Sequence, residues 1–225
     1  MGNPEQLRIT LISLLLSLPV IMFALSFHET AHGYVAYRCG DPTAHNLGRL
    51  TLNPVRHLDP IGFLCMLIFG FGWAKPVPIN TRYFKNPKRG MILTALAGPL
   101  SNLLLGFVNS ILAGLFFVLE FTNDNVVLTV FYLLFFYGAL MNYMLMFFNL
   151  IPIPPFDGSR IALGVLPEKT YFNLMRHERT LMWIILGVLL VCDYLFNVSP
   201  FSIAANWLAN LTINPFVNLF AKILL

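Results

Sequence analysis

The sequence predicts an all-α integral membrane protein, a polytopic helix bundle of about four to six transmembrane segments with short strands in residues 47–80. The chain has 225 residues, of which 57% are hydrophobic and only 11% are charged, and its mean hydropathy is +0.73. A soluble domain normally carries about 25% charged residues. Because the deficit extends along the whole chain, we expect residues 1–225 to form a single transmembrane domain.

Four apolar runs have the length, or nearly the length, of a membrane-spanning helix. The first covers residues 7–27, and its helical pattern continues to about Arg38. We interpret it as a retained span rather than a signal peptide, because no small-residue cleavage site follows it. The others cover residues 91–119, 126–148 and 181–196, of which the last is shorter than the roughly 20 residues of a full span.

Four further segments do not have the pattern of a simple span. Residues 61–72 are too short to cross a bilayer alone and fit a re-entrant segment, a buried half-helix or a thin tilted span. Residues 202–225 are broken at Pro215, and they either span the membrane or lie in its interface. Residues 47–52 and 76–80 predict short strands, whose edges could pair with an extended substrate.

Lys and Arg are concentrated in two regions of the chain. Eight of the 14 lie between Arg38 and Arg89, and four lie between Arg160 and Arg179. The turn at residues 120–125 contains none. By the positive-inside rule, both basic regions face the cytoplasm, whereas this turn and the N-terminus lie outside. We therefore expect a multi-pass protein of the cell membrane.

An HExxH motif, His28-Glu29-Thr30-Ala31-His32, lies at the cytoplasmic end of the first helix. Imidazoles at positions i and i+4 share one helix face, about 6 Å apart along the axis, and can bind one zinc ion. Glu29 lies beside them, where its carboxylate can take a proton from water activated by the metal. Ionisable residues inside a membrane usually have a function, so we predict a site for one Zn²⁺.

The third protein ligand that catalytic zinc requires must come from farther along the chain. No Glu occurs between Glu29 and Glu120, which excludes the thermolysin pattern of a Glu soon after the motif. Arg38 occupies the position where an HExxHxxGxxH protease has its third His. The third ligand is therefore a distant carboxylate or imidazole.

Asp157 is the carboxylate that the predicted topology favours. It follows the third span on the cytoplasmic side, in a Pro-rich turn that could line a buried cavity or, alternatively, only cap a helix. Three other acids lie toward the outer face: Glu120, Asp124 and Asp193. Three loop residues are weaker candidates, for which we expect hydrogen bonds within the loop: His45, His57 and Asp59.

The HExxH motif combined with the segment NLIPIPPFDG at residues 149–158 resembles the site-2 proteases, which are intramembrane zinc metalloproteases. Residues 72–80 and 97–102 are similar to segments of the compact members, which lack a PDZ or CBS domain. The resemblance implies cleavage of substrate transmembrane helices near their cytoplasmic ends. It further implies that His28, His32 and Asp157 are the metal ligands, that Glu29 is the catalytic base, and that Asn149 is a polar group near the site.

These features predict an intramembrane zinc endopeptidase with its active site toward the cytoplasmic face. Its expected partners are the lipid bilayer and a membrane-protein substrate with a transmembrane helix, not a nucleic acid, and the sequence does not define an oligomeric state. Asn149 could donate a hydrogen bond to the oxyanion of the reaction, although it could equally satisfy backbone groups in the broken turn.

Three other classes of protein fit the sequence less well. A metal-ion or proton transporter using the same His and Asp residues would have polar residues across the whole bilayer, but here they cluster at one end. A catalytically silent binding protein would normally have lost Glu29 or a metal ligand. A membrane di-iron oxidase would need more than the five histidines of this chain.

Overall fold

The computed structural model describes residues 4–69, 72–123, 125–154, 156–162 and 200–225, with isolated positions between 166 and 188. Within these ranges the fold is all-helical, as predicted. Two of the described helices are long and apolar enough to cross a membrane: α5 (Pro87–Asn123) and α6 (Val126–Asn149). The predicted span at residues 181–196 lies almost entirely outside the described residues.

The first helix, α1 (Pro4–Arg38), carries the HExxH motif in its last third and ends where the sequence predicts. It ends because Gly40 has a φ of 112°, in the left-handed region that favours glycine. Asp41 then donates its backbone N–H to the carbonyl of Ala36 at 3.0 Å, which closes the helix with a Schellman-type bond.

The strands predicted at residues 47–52 and 76–80 do not form, and that prediction was wrong: both segments are irregular and lie between short helices. The short helices are α2 (Thr43–Asn46), α3 (Pro54–His57), α4 (Pro60–Phe69) and a 3₁₀ turn (Thr81–Tyr83). The described part of this region has only one antiparallel bridge, between Leu58 and Ala74. Gly48, at a φ of 63°, interrupts the first expected strand. Pro76 and Pro78 have no N–H to donate to a ladder in the second.

Helix α4 fits the expectation that its segment is too short to span a membrane. Its 10 residues extend about 15 Å, roughly half the thickness of the hydrocarbon core.

Helix α5 is central to the bundle, because it packs against α1, α6 and the C-terminal helix α8 (Pro200–Leu224). The core between α5, α6 and α8 consists mainly of small residues: Ala113, Ala139, Ala205 and Ala209, with Tyr143 and Ile213. Small side chains allow close approach of helices in a membrane, where lipid removes the hydrophobic driving force between them.

Helix α8 is longer and more continuous than the sequence indicates. We expected a break at Pro215, but the helix continues through that residue to Leu224. A proline is tolerated inside such a helix when neighbouring groups satisfy the freed backbone carbonyl. The remaining short helix, α7 (Asp157–Ile161), follows α6 after a non-helical turn.

Candidate metal centre

Three side chains that the sequence singled out meet in one buried cluster: His28, His32 and Asp157. The Nε2 atoms of the two imidazoles are 3.0 Å apart. Oδ2 of Asp157 lies 3.2 Å from Nε2 of His28 and 3.1 Å from Nε2 of His32. Helix α1 thus supplies two of the three groups, and the start of α7 supplies the third.

The other ring nitrogen of each histidine has its own partner. Nδ1 of His32 lies 2.7 Å from the backbone carbonyl of Thr94 on α5, and a carbonyl can only accept, so this Nδ1 carries the proton. Nδ1 of His28 lies 2.6 Å from Oδ1 of Asn102, also on α5. In the neutral histidines, Nε2 therefore presents a lone pair to the cluster.

The cluster consequently contains three acceptors and no donor, and it fits a zinc ion. Oδ2 of Asp157 is buried without a hydrogen-bond partner in the described structure. Atoms bound to one tetrahedral zinc at normal bond lengths are about 3.3 Å apart, close to the separations observed here. Two imidazole nitrogens and one carboxylate oxygen are also a common ligand set of catalytic zinc.

In the absence of metal, a proton can stabilise the same cluster. Burial alone would raise the pKa of the Asp157 carboxyl, but interaction with the His28 and His32 rings outweighs it and holds that pKa well below its usual range. Protons and a metal ion therefore compete for one set of atoms.

The turn that brings Asp157 to α1 depends on Gly158. A β-carbon at residue 158 would overlap the carbonyl oxygens of Leu150 and Ile151, so only glycine fits there. Ser159 stabilises the start of α7 by donating its hydroxyl to the carbonyl of Phe156 at 2.7 Å. The segment NLIPIPPFDG thus contains both the carboxylate and the backbone geometry that positions it.

Glu29, the expected base, is held by the extended segment of residues 72–80. Its Oε2 accepts a hydrogen bond from the backbone N–H of Val77 at 2.8 Å. Arg49 fixes this segment from the other side by donating to the carbonyl of Lys75 at 2.8 Å. A backbone N–H therefore orients one carboxylate oxygen of Glu29. The side chain is partly exposed and lies next to the metal cluster.

Asn149 lies at the end of α6, and its amide donates to the carbonyl of Leu145 in its own helix at 2.9 Å. The three loop candidates make contacts within their own region. His45 stacks on Tyr37 with ring centres 5.0 Å apart, Nε2 of His57 lies 2.8 Å from the carbonyl of Thr51, and Asp59 accepts from the N–H of Gly62.

The acids expected at the outer face do not join the cluster where they are described. Glu120 accepts a hydrogen bond from Thr129 at 3.3 Å, at the turn between α5 and α6. It is 22 residues beyond Gly98, the residue of α5 at the metal cluster, which corresponds to about 33 Å along the helix. Asp124 and Asp193 lie outside the described residues.

Three groups of α5 and α6 at the site were not identified from the sequence. The carbonyl of Thr94 and the amide of Asn102 contact the histidine rings, and Asn142 contacts Asn102. Two uncharged amides inside long apolar runs were a usable signal, because polar side chains there need partners. The Thr94 carbonyl had no such signal, because every residue has a backbone carbonyl.

Known proteins resemble this chain over most of its length. The model of Peptidase family M50 matches residues 111–192. "Putative zinc metalloprotease YwhC" of Bacillus subtilis is 42% identical over 161 residues, which are 71% of this chain and 74% of that protein. "Putative zinc metalloprotease MJ0611" of Methanocaldococcus jannaschii is 32% identical over 65% of this chain and 69% of its own length.

A longer protein of the same archaeon, "Zinc metalloprotease MJ0392", is 30% identical over 75% of this chain but only 44% of its own length. No solved structure matches the chain. The apolar helices, the HExxH motif and the relatives together define a membrane-associated zinc metalloprotease. The chain belongs to peptidase family M50, the site-2 proteases.

Proposed function

We propose that this chain is an intramembrane endopeptidase that hydrolyses peptide bonds of substrate transmembrane helices near the cytoplasmic side. The observation that carries the proposal is the buried cluster of His28, His32 and Asp157, whose three acceptor atoms lie 3.0, 3.1 and 3.2 Å apart between apolar helices. Three buried acceptor atoms this close together repel one another unless a proton or a metal ion lies between them, which supports a metal site.

The proposed ligands are His28, His32 and Asp157. When bound, zinc acidifies water and polarises a carbonyl group. Glu29 takes the proton from water and delivers it to the leaving amine, and its bond to the N–H of Val77 keeps the carboxylate in place for both transfers. Asn149, eight residues before Asp157, donates to the oxyanion after leaving its bond with Leu145.

The proposed arrangement is a single multi-pass domain comprising residues 1–225, with the active site on the cytoplasmic side. The distribution of Lys and Arg supports this orientation, since eight of them lie between Arg38 and Arg89, directly after the HExxH helix. The site also lies at the end of α5 that is distant from the acidic turn at Glu120. Helices α1 and α8 are the proposed additional spans beside α5 and α6.

A transmembrane substrate must lose helical structure before cleavage, because its carbonyls are engaged in backbone hydrogen bonds. The non-helical turn after α6 supports the entry of water, since exposed backbone at membrane depth normally lines a wet cavity. The proposed substrate is therefore a single helix that is locally unwound at the cytoplasmic end.

The test is cleavage of a single-span membrane protein by the purified full chain in proteoliposomes. Glu29→Gln should reduce kcat by about 10²- to 10⁴-fold while retaining zinc, and a chelator should stop the wild type. Glu120→Gln is the matched control, since it is the same substitution at the far end of α5. Undiminished cleavage by Glu29→Gln, or by metal-free protein, would refute the proposal.

A further inference from the structure

A chain of side-chain amides connects the metal cluster to the interior of the helix bundle. Nδ1 of His28 on α1 contacts Oδ1 of Asn102 on α5 at 2.6 Å. Asn102 donates from Nδ2 to Oδ1 of Asn142 on α6 at 2.9 Å. Asn142 in turn donates from Nδ2 to the backbone carbonyl of Gly138 at 2.8 Å. Both amides are fully buried, at 0% and 1% exposure.

The backbone carbonyl of Gly138, at the end of this row of amides, sets the direction of each hydrogen bond in the row. The carbonyl of Gly138 can only accept, so Asn142 must turn its NH₂ group toward it and its oxygen toward Asn102. Asn102 must then present its own NH₂ group to Asn142 and its oxygen to His28. The only proton available for the last contact is that on Nδ1 of the imidazole.

We propose that Asn102 and Asn142 are positioning residues of the metal centre, which hold His28 with its proton on Nδ1 and its Nε2 lone pair toward the metal. This inference rests on the proposed role of His28 as a ligand. Neither asparagine touches the substrate or the metal. They act by fixing the tautomer and the orientation of the ring, as partners of metal-bound histidines commonly do.

An amide suits this position because the contact is inside the membrane-spanning bundle. A carboxylate could accept the same proton, but it would add a second buried negative charge beside Asp157. An apolar residue would leave Nδ1 of His28 without an acceptor, and the neutral ring could then place its proton on Nε2, where zinc must bind. The two asparagines therefore supply an acceptor of fixed orientation without a charge.

The inference is tested by the zinc affinity of the full chain, measured in detergent by competition with a chromophoric chelator. We expect Asn102→Ala to weaken zinc binding by about 10- to 100-fold, and Asn142→Ala to weaken it less, because the first contact remains. Asn102→Asp keeps an acceptor oxygen for Nδ1 of His28, but it loses the donor to Asn142 and adds a buried charge, so it should recover only part of the loss. Asn109→Ala is the matched control, since among the described residues its amide donates to Leu105 within its own helix, at 2.7 Å.

The absorption bands of Co²⁺-substituted protein give a second measurement that a general loss of packing would not change. They should shift in Asn102→Ala and stay unchanged in Asn109→Ala. Zinc affinity of Asn102→Ala within about twofold of the control would overturn the proposal. If Asn102→Ala does not fold, Asn142→Ala decides by the same criterion.

His28→Ala separates this inference from the function on which it rests. If His28→Ala binds zinc as the wild type does, the ligand assignment itself is wrong. If His28→Ala loses zinc but both asparagine variants bind it normally, only the positioning role is wrong.

Discussion

The Cα atom of Gly98 lies so close to the imidazole of His32 that a β-carbon there would be 2.5 Å from Nε2. The same β-carbon would also overlap Cε1 of His28. Helix α5 can therefore pass directly against both rings only because residue 98 has no side chain. This contact lets one helix supply hydrogen-bond acceptors to both histidines, through Thr94 and Asn102.

Gly98→Ala is expected to displace both imidazoles, because the overlap involves ring atoms that the α5 contacts hold in place. Zinc affinity should fall by about 10- to 100-fold, as it does when groups that hold metal ligands are disturbed. Chelator competition measures this loss. Gly187→Ala is the control, since a β-carbon there meets no atom of the described residues within 4 Å. Equal zinc affinity of the two variants would contradict the prediction.

Asp157→Asn is expected to remove the charged ligand while keeping nearly the same shape. Zinc content after purification should drop more than in any variant of the ring partners, because a direct ligand is lost. The metal content is measured by atomic emission. Asp59→Asn is a suitable control, because Asp59 accepts only a local bond from Gly62 at 2.8 Å. Full zinc retention in Asp157→Asn would remove this residue from the ligand set.

Val77→Pro removes the one backbone N–H that binds Oε2 of Glu29. A hydrogen bond to a charged group contributes about 1.5–3 kcal/mol, so kcat should fall by about 10- to 100-fold while zinc affinity is unchanged. Single-turnover cleavage measures the effect. Val77→Thr keeps the N–H and nearly the same shape, and it should cleave like the wild type. The prediction fails if both variants have equal rates.

Zinc affinity should decrease as the pH is lowered from neutral, because protons compete with the metal for Nε2 of the two imidazoles. Asp157 contributes to this loss only at lower pH. The pKa of Asp157 is lowered in the folded protein. The stabilisation that its ionised carboxylate gives the folded state is therefore fully present above the ordinary pKa of aspartate, and it is lost only as the pH falls through the lower folded value. Zinc retention across a pH series checks this, with Glu29→Gln expected to follow the wild-type curve. Retention down to about pH 4 would contradict it.

The sequence predicted those parts of the site that depend on residue type and helix periodicity. HExxH placed His28 and His32 on one face, and charge topology brought Asp157 to the same end of the bundle, where the structure has it. The bond from Val77 to Glu29 could not be predicted, because a backbone N–H has no signature in a sequence. The strand predictions failed because Gly48 adopts a left-handed backbone conformation in the first segment and because Pro76 and Pro78 have no N–H for a strand ladder in the second.

Assembly and metal loading of this protein should be coupled, because the proposed ligand atoms come from the start of α7 and from a helix far earlier in the chain, α1. No fragment that lacks either helix contains the complete site. Zinc should therefore bind the assembled bundle more tightly than the separate segments, and by mass action it would stabilise that bundle by about 4 kcal/mol when free zinc exceeds Kd a thousandfold. A zinc ion bound there would also hold α1 and α7 together. Depletion of zinc in the cell would then lower the stability of the enzyme as well as its activity.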